Sequence, residues 1–242
     1  LRDGRLPEGR IDGSIYVPNR ELRHVVQPQG RTWRDFRVGP SRWVHAGLIA
    51  LAILAVVALA LIRGTDTYER DPQGRRVLRF RAVDRFVHWL TAVSFVILAL
   101  TGWGLTIHNV VGFPFLIGVL AMTVFWMKDN FFRRVDAEWF RRGGGILRRE
   151  HVPAEKFNAG QKLIYWISVL GGIGLGATGI AMLLPISTVG VNGMQIVQGL
   201  HTLIAAGMIA VIIGHIYLGS FGVSGSFDAM SRGTVDLQWA RT

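Results

Sequence analysis

Apolar residues in this chain fall into long runs, and the charged residues are confined to the stretches between them. No Lys, Arg, Asp or Glu lies between Phe86 and Met127, or between Leu163 and Phe227. A helix needs about 20 apolar residues to cross a bilayer. On that measure the pattern predicts spans at 43–62, 86–105, 109–127, 163–184 and 194–218. The uncharged stretch 86–127 is 42 residues, twice the length of one span, and predicts a helical hairpin. Pro185 ends the fourth span. The expected fold is all-α: an integral membrane bundle of about five helices filling 43–223. A polar extramembrane arm, 1–42, precedes it, and a short polar tail, 224–242, follows.

The connectors set the expected orientation. Arg63–Arg85 carries seven arginines against four acids, and Lys128–Lys162 carries nine Lys/Arg against five. Both fall on one side, which the positive-inside rule makes cytoplasmic, and the uncharged Pro185–Gly193 link falls on the other. The tail is then cytoplasmic and the arm periplasmic. The arm holds nine arginines, and longer segments cross regardless of charge. A first residue of Leu1 in place of Met predicts a leader removed or left out.

Within the second connector, Phe131, Phe132, Val135 and Trp139 share one face of a short helix, with Arg133, Arg134, Arg141 and Arg142 around them. That suits a helix on the membrane surface, or a solvated loop. Trp43, Trp89, Trp126, Tyr165, Trp166 and Tyr217, near span ends, read as interfacial anchors. The net charge of +11 therefore answers to topology and anionic lipid, and no nucleic-acid partner is expected. With no cysteine, the chain by itself holds no iron–sulfur cluster.

Ionisable groups inside a membrane are costly and mark function. Four histidines lie in or beside the apolar runs: His88, His108, His201 and His215. His201 and His215 share one expected helix. Fourteen residues rise about 21 Å and return to within about 40° of the same face. One helix thus offers two imidazoles at two depths. His88 lies at the cytoplasmic end of the second span and His108 near the outer turn of the hairpin. Depth pairs His88 with His215 and His108 with His201, which suits two six-coordinate haems stacked across the membrane. His24, His45 and His151 read as surface residues.

Glycines 171, 172, 174, 176 and 179 give the fourth span a bare face, for close helix packing or for a porphyrin edge. Gly207 and Gly214 are open to both readings. Asn158 is either a helix N-cap or, with Gln161, part of a quinone pocket near His215.

The segments Asp84-Arg85-Phe86-Val87-His88-Trp89, His108-Asn109-Val110-Val111-Gly112, Lys156–Lys162 and His201 with His215-Ile216-Tyr217 resemble the gamma subunit, a cytochrome b, of respiratory membrane-bound formate dehydrogenase. The similarity spans nearly everything from about Val25 onward. The resemblance implies a diheme cytochrome b: His108 and His201 on an outer haem b, His88 and His215 on a cytoplasmic-side haem b. It implies a quinone site (menaquinone or ubiquinone) at Asn158, Gln161 and His215. It also implies an iron–sulfur beta subunit and a molybdenum- or tungsten-containing catalytic alpha subunit facing the periplasm, in a bacterial inner membrane, with a higher oligomer of the complex open. Electrons from formate would pass through this chain to quinone, and formate oxidation itself would lie elsewhere. The family usually has a longer outer connector in the hairpin. Read literally, Leu105-Thr106-Ile107-His108 puts His108 in the turn itself.

Rival readings are a diheme cytochrome b serving a nickel–iron hydrogenase or another periplasmic oxidoreductase, a transporter using a histidine relay, and an anchor without haem. The relay's expected intramembrane carboxylates or arginines are missing from the spans.

Overall fold

The computed structural model describes residues 37–64, 70–102, 105–145, 152, 154–184 and 190–241. Most of the N-terminal arm, with His24, and also His151 lie outside the described residues.

Five helices are long and apolar enough to cross a membrane. Helix α1 is Arg42–Arg63, entered through a π-turn at Arg37–Ser41 that contains Pro40. A short strand β1, Arg76–Leu78, leads to α2, Ala82–Thr101, and α3 is Leu105–Trp126. The surface helix α4 is Arg134–Arg141; α5 is Ala159–Leu183 and α6 is Gly190–Tyr217. The tail folds as α7, Ser226–Ser231, β2, Thr234–Asp236, and α8, Leu237–Arg241.

Helices α2, α3, α5 and α6 begin at Ala82, Leu105, Ala159 and Gly190, about one turn ahead of the predicted spans. For α2 and α5 the reason is capping. Asp84 accepts the Arg81 N–H at 2.9 Å and so belongs to the first turn of α2. The Asn158–Gln161 pair does the same for α5. This corrects the hairpin. Helix α2 ends at Thr101 and α3 begins at Leu105, so His108 sits inside the first turn of α3.

Helix α2 packs on α3, α3 on α5, α5 on α6 and α6 on α1. The apolar stretch of α1 is wholly unburied within the protein, as expected of a helix that leans on one neighbour and faces lipid. Phe95, Phe115, Val119 and Met208 form the mid-depth core, and Val87, Met122, Trp126, Tyr165 and Val169 form a second core toward the connectors. Close approach rests on small residues. A Cβ at Gly172 would lie 2.7 Å from Val119, and one at Gly118 would lie 2.2 Å from the Thr91 hydroxyl.

The basic connectors and the tail form one cap. Strands β1 and β2 pair antiparallel, Arg76 opposite Asp236, and Phe80, Phe157, Ala229 and Val235 cluster beneath them. The segment after 224 is thus a folded element holding the connectors together. Gly233 makes the turn possible. Its φ is +82°, and an added Cβ would sit 2.6 Å from the Phe80 carbonyl oxygen. Trp126 and Tyr165 are buried, which corrects their reading as interfacial anchors. Trp126 donates its indole N–H to Asp84 at 2.9 Å. Trp43, two-thirds exposed, keeps the anchor position.

Candidate functional site

The four intramembrane histidines come together as two pairs. The ring centroids of His88 and His215 are 6.3 Å apart, and those of His108 and His201 are 6.2 Å apart. A metal–imidazole bond is about 2.0–2.1 Å and a ring nitrogen lies about 1.1 Å from its ring centre, so two imidazoles on opposite sides of one metal have centroids about 6.3 Å apart. His88 and His108 each keep a buried ring nitrogen without a hydrogen-bond partner. Among the described residues no cluster of three or more His, Asp or Glu could hold a bare metal ion. A haem brings its own four equatorial ligands, so two histidines suffice, and the residues fit it.

His201 is oriented by Thr178 of α5. The Thr178 hydroxyl lies 2.7 Å from His201 Nδ1 and donates its proton to the Gly174 carbonyl, also at 2.7 Å. A hydroxyl has one proton to give. With its own proton on the Gly174 carbonyl, the Thr178 oxygen can accept the imidazole's Nδ1–H, the tautomer that leaves Nε2 for a metal. This is the arrangement in which an outer partner fixes the tautomer of a ligating histidine.

Each pair opens on a cavity. The outer one, about 110 Å³, is lined by His108 and His201 with Gly112, Gly176 and Gly179. At Gly112 an added Cβ would meet nothing within 4 Å, and at Gly179 it would meet only His201, at 3.8 Å. The glycine face therefore divides: Gly171 and Gly172 press on Met208 and Val119, while Gly179 makes room beside the histidine. The inner cavity, about 510 Å³, is lined by His88, His215, Arg79, Asn130, Gln161 and Trp239 among others. Phe95 and Phe115, their rings 6.0 Å apart, line both cavities and form the wall between them.

The Lys156–Lys162 segment serves several ends at once. Asn158 Oδ1 accepts the Gln161 N–H at 2.9 Å, and Gln161 Oε1 accepts the Asn158 N–H at 3.0 Å, a reciprocal cap on α5. The cap uses the two side-chain oxygens and leaves both amide nitrogens with their hydrogens. Gln161 lines the inner cavity; Asn158 is not among its lining residues. Lys162, fully buried, donates to Asp136 at 2.7 Å and Glu155 at 3.2 Å, which ties α4 to α5. Gly160 makes way for Trp139 of α4, whose ring an added Cβ would approach to 2.9 Å.

Outside the membrane, Arg75 bonds the Asp71 carboxylate through its side chain and its backbone N–H and holds that carboxyl down at about 2. The Asp71 N–H donates to Asp236 at 3.1 Å, so this group secures the first connector to the tail. Thr178, Arg79, Lys162 and the Asp84–Trp126 bond were not singled out from the sequence as acting on the site. Lys162 carried the one available signal, a charge at the edge of an apolar run.

A model of the prokaryotic cytochrome b561 family matches residues 79–233, which contain all four histidines and every residue lining the two cavities except Trp239. The cytochrome b556(fdo) subunit of formate dehydrogenase from Escherichia coli K12 is 25% identical over 187 residues, covering 68% of this chain and 88% of that protein. The cytochrome b556(Fdn) subunit of the nitrate-inducible formate dehydrogenase from the same organism is 27% identical, covering 70% and 88%. The cytochrome b556 subunit from Haemophilus influenzae is 25% identical, covering 69% and 79%. The likeness read from the histidine segments thus holds across most of the bundle. With its five apolar helices, this chain belongs to the prokaryotic cytochrome b561 family and is a multi-pass membrane cytochrome b with an electron-transfer role.

Proposed function

We propose that this chain is the membrane subunit of a respiratory formate dehydrogenase, carrying electrons from a periplasmic iron–sulfur subunit to quinone on the cytoplasmic side. The observation that supports it is the pair of histidine pairs, 6.2 and 6.3 Å across, one toward each end of the bundle. A b-type haem at each pair supplies reversible one-electron transfer. His108 and His201 would hold the outer one, His88 and His215 the inner one. The chain's own work is to set these positions, to keep them apart and to keep water from running between them. Phe95, Phe115, Val119 and Met208 form that partition, with no titratable group among them.

Quinone reduction needs hydrogen-bond donors at the carbonyls and a supply of protons. Gln161, with its free amide hydrogens, lines the same cavity as His215, and Asn158 is bonded to Gln161 in the cap. The capped connectors above are basic and face water, the side from which protons would come. Under the positive-inside rule this side is the cytoplasm of a bacterial inner-membrane protein. The catalytic molybdenum or tungsten subunit and the iron–sulfur subunit would then approach from the opposite face. Turnover in that arrangement builds membrane potential.

The test is the full chain in mild detergent, with oxidised and reduced spectra and a haem-to-protein ratio. Two low-spin b haems per chain are expected, one lost with His201→Ala and the other with His88→Ala. No haem from a folded sample with ample haem supply would overturn the reading. Co-purification of an iron–sulfur subunit with formate-reducible haem assigns the partner; hydrogen-reducible haem would assign it to a hydrogenase instead.

A further inference from the structure

We propose that Arg79 is the anion-binding group of the inner cavity and pairs a carboxylate of the porphyrin held between His88 and His215. The inference rests on the haem reading above.

Arg79 ends the first basic connector and lines the same cavity as both histidines. Its guanidinium is held in place. It donates to the Lys156 carbonyl at 2.5 Å and lies 4.8 Å from the Trp239 ring centre and 5.7 Å from that of Phe80. These contacts orient the charge without neutralising it. The neighbours on the same connector differ. Arg75 bonds Asp71 at 3.0 Å and Arg76 bonds Asp228 at 3.1 Å. Among the described residues no carboxylate lies within ion-pair distance of Arg79. Partial burial disfavours its charge and lowers the proton affinity of the guanidinium. A fixed, partly desolvated cation on a cavity wall is a receptor for an anion.

The cavity is polarised in the same sense. Arg79, Asn130 and Gln161 stand at the connector end, while Phe95 and Phe115 close the other. That suits a flat ligand with one anionic and one apolar edge. A b-type porphyrin carries two carboxylates, and the guanidinium fork matches a carboxylate with two parallel hydrogen bonds. A resting quinone is neutral and offers no fixed negative group, so the pairing favours the porphyrin.

The test uses the full chain from haem-depleted cells, in a His108→Ala background so that the inner site alone reports. Iron protoporphyrin IX and its dimethyl ester, which lacks the free carboxylates, are titrated into the parent, Arg79→Gln and Arg79→Lys. The parent should prefer the free acid by about tenfold or more, Arg79→Gln should lose the preference, and Arg79→Lys should keep part of it. The ester should bind all three alike, which shows that the substitution leaves the fold intact. The midpoint potential in Arg79→Gln should fall by about 59 mV, a tenfold one-electron change, because removing a cation favours the ferric state. An unchanged preference, or equal loss of both porphyrins, overturns the assignment. So does intact preference with weakened binding of a quinone analogue. Failure of the parent to bind either porphyrin would sink the haem reading itself.

Discussion

The two histidine pairs are spaced alike, 6.2 Å on the outer side and 6.3 Å on the inner, yet their surroundings share little. The outer pair lies among four helices, α2, α3, α5 and α6, beside a cavity of about 110 Å³ whose lining includes few polar groups besides the histidines. The inner cavity is larger, about 510 Å³, and its wall includes the connectors and the tail as well as helices. Arg79, Asn130, Gln161 and Ser168 line it. The difference indicates a division of labour. A small apolar site suits electron passage alone, while a large, partly polar site beside basic connectors suits exchange of a ligand and protons. The inner site also depends on contacts with the connectors and the tail that the outer one does without.

The largest effects should separate the pairs outright. His215→Ala is expected to remove the inner haem and abolish quinone reduction while the outer haem keeps its spectrum. His201→Ala should remove the outer haem and leave the inner one chemically reducible. A haem-to-protein ratio and low-temperature spectra read both.

Next is the support beneath the inner site. Lys162→Met strands Asp136, which is 3% exposed, without its partner. Breaking a buried pair from one side costs about 3–5 kcal/mol. Thermal loss of the inner haem signal should move down steeply while the outer signal holds. Lys162→Met with Asp136→Leu should recover much of the loss, because no buried charge is left alone.

A smaller change should touch only the outer pair. Thr178→Val removes the hydroxyl that meets His201 Nδ1, and a lost hydrogen bond costs about 0.5–1.5 kcal/mol. Weaker haem retention and an altered ferric resonance spectrum are expected for the outer haem alone, with Thr178→Ser restoring both. Equal disturbance of the two haems would contradict the separation of the sites.

The smallest effect concerns pH. Asp71 stands at about 2 in the folded cap against an ordinary 3.8, lowered chiefly by its bonds from Arg75. A lowered carboxyl stabilises fully above its unfolded value and loses that contribution as pH falls through its folded one. The tie between connector and tail should therefore weaken as pH drops from about 4 to about 2, at the inner site and not the outer. Asp71→Asn should flatten that dependence in acid titrations of inner-haem release.

Much of the membrane architecture was legible because hydropathy and depth are local properties. Runs of uncharged residues predicted the spans, and the spacing of His201 and His215 predicted two depths on one helix. Helix ends were misjudged by a turn, since Asp84 and Lys162 lie within helices while the pattern counted them as connector. Asn158 and Gln161 carried two readings in the sequence. The structure engages their oxygens in the cap and leaves Gln161's amide hydrogens at the cavity. Trp126 looked like an interfacial anchor because an indole at a span end is ambiguous until its partner is known.

The sequence by itself determined that the chain has five segments able to cross a membrane, roughly where they lie, and that His201 and His215 stand on one helix, because each of these follows from a helix's own rise and polarity. Tertiary structure decided which rings face each other at 6 Å separation, how the apolar wall divides the cavities, which hydroxyl meets the His201 ring and how residues 224–241 close the cap. Those features join residues such as Arg76 and Asp236, or Thr178 and His201, that are far apart in the chain, and no local pattern records a contact made across the bundle.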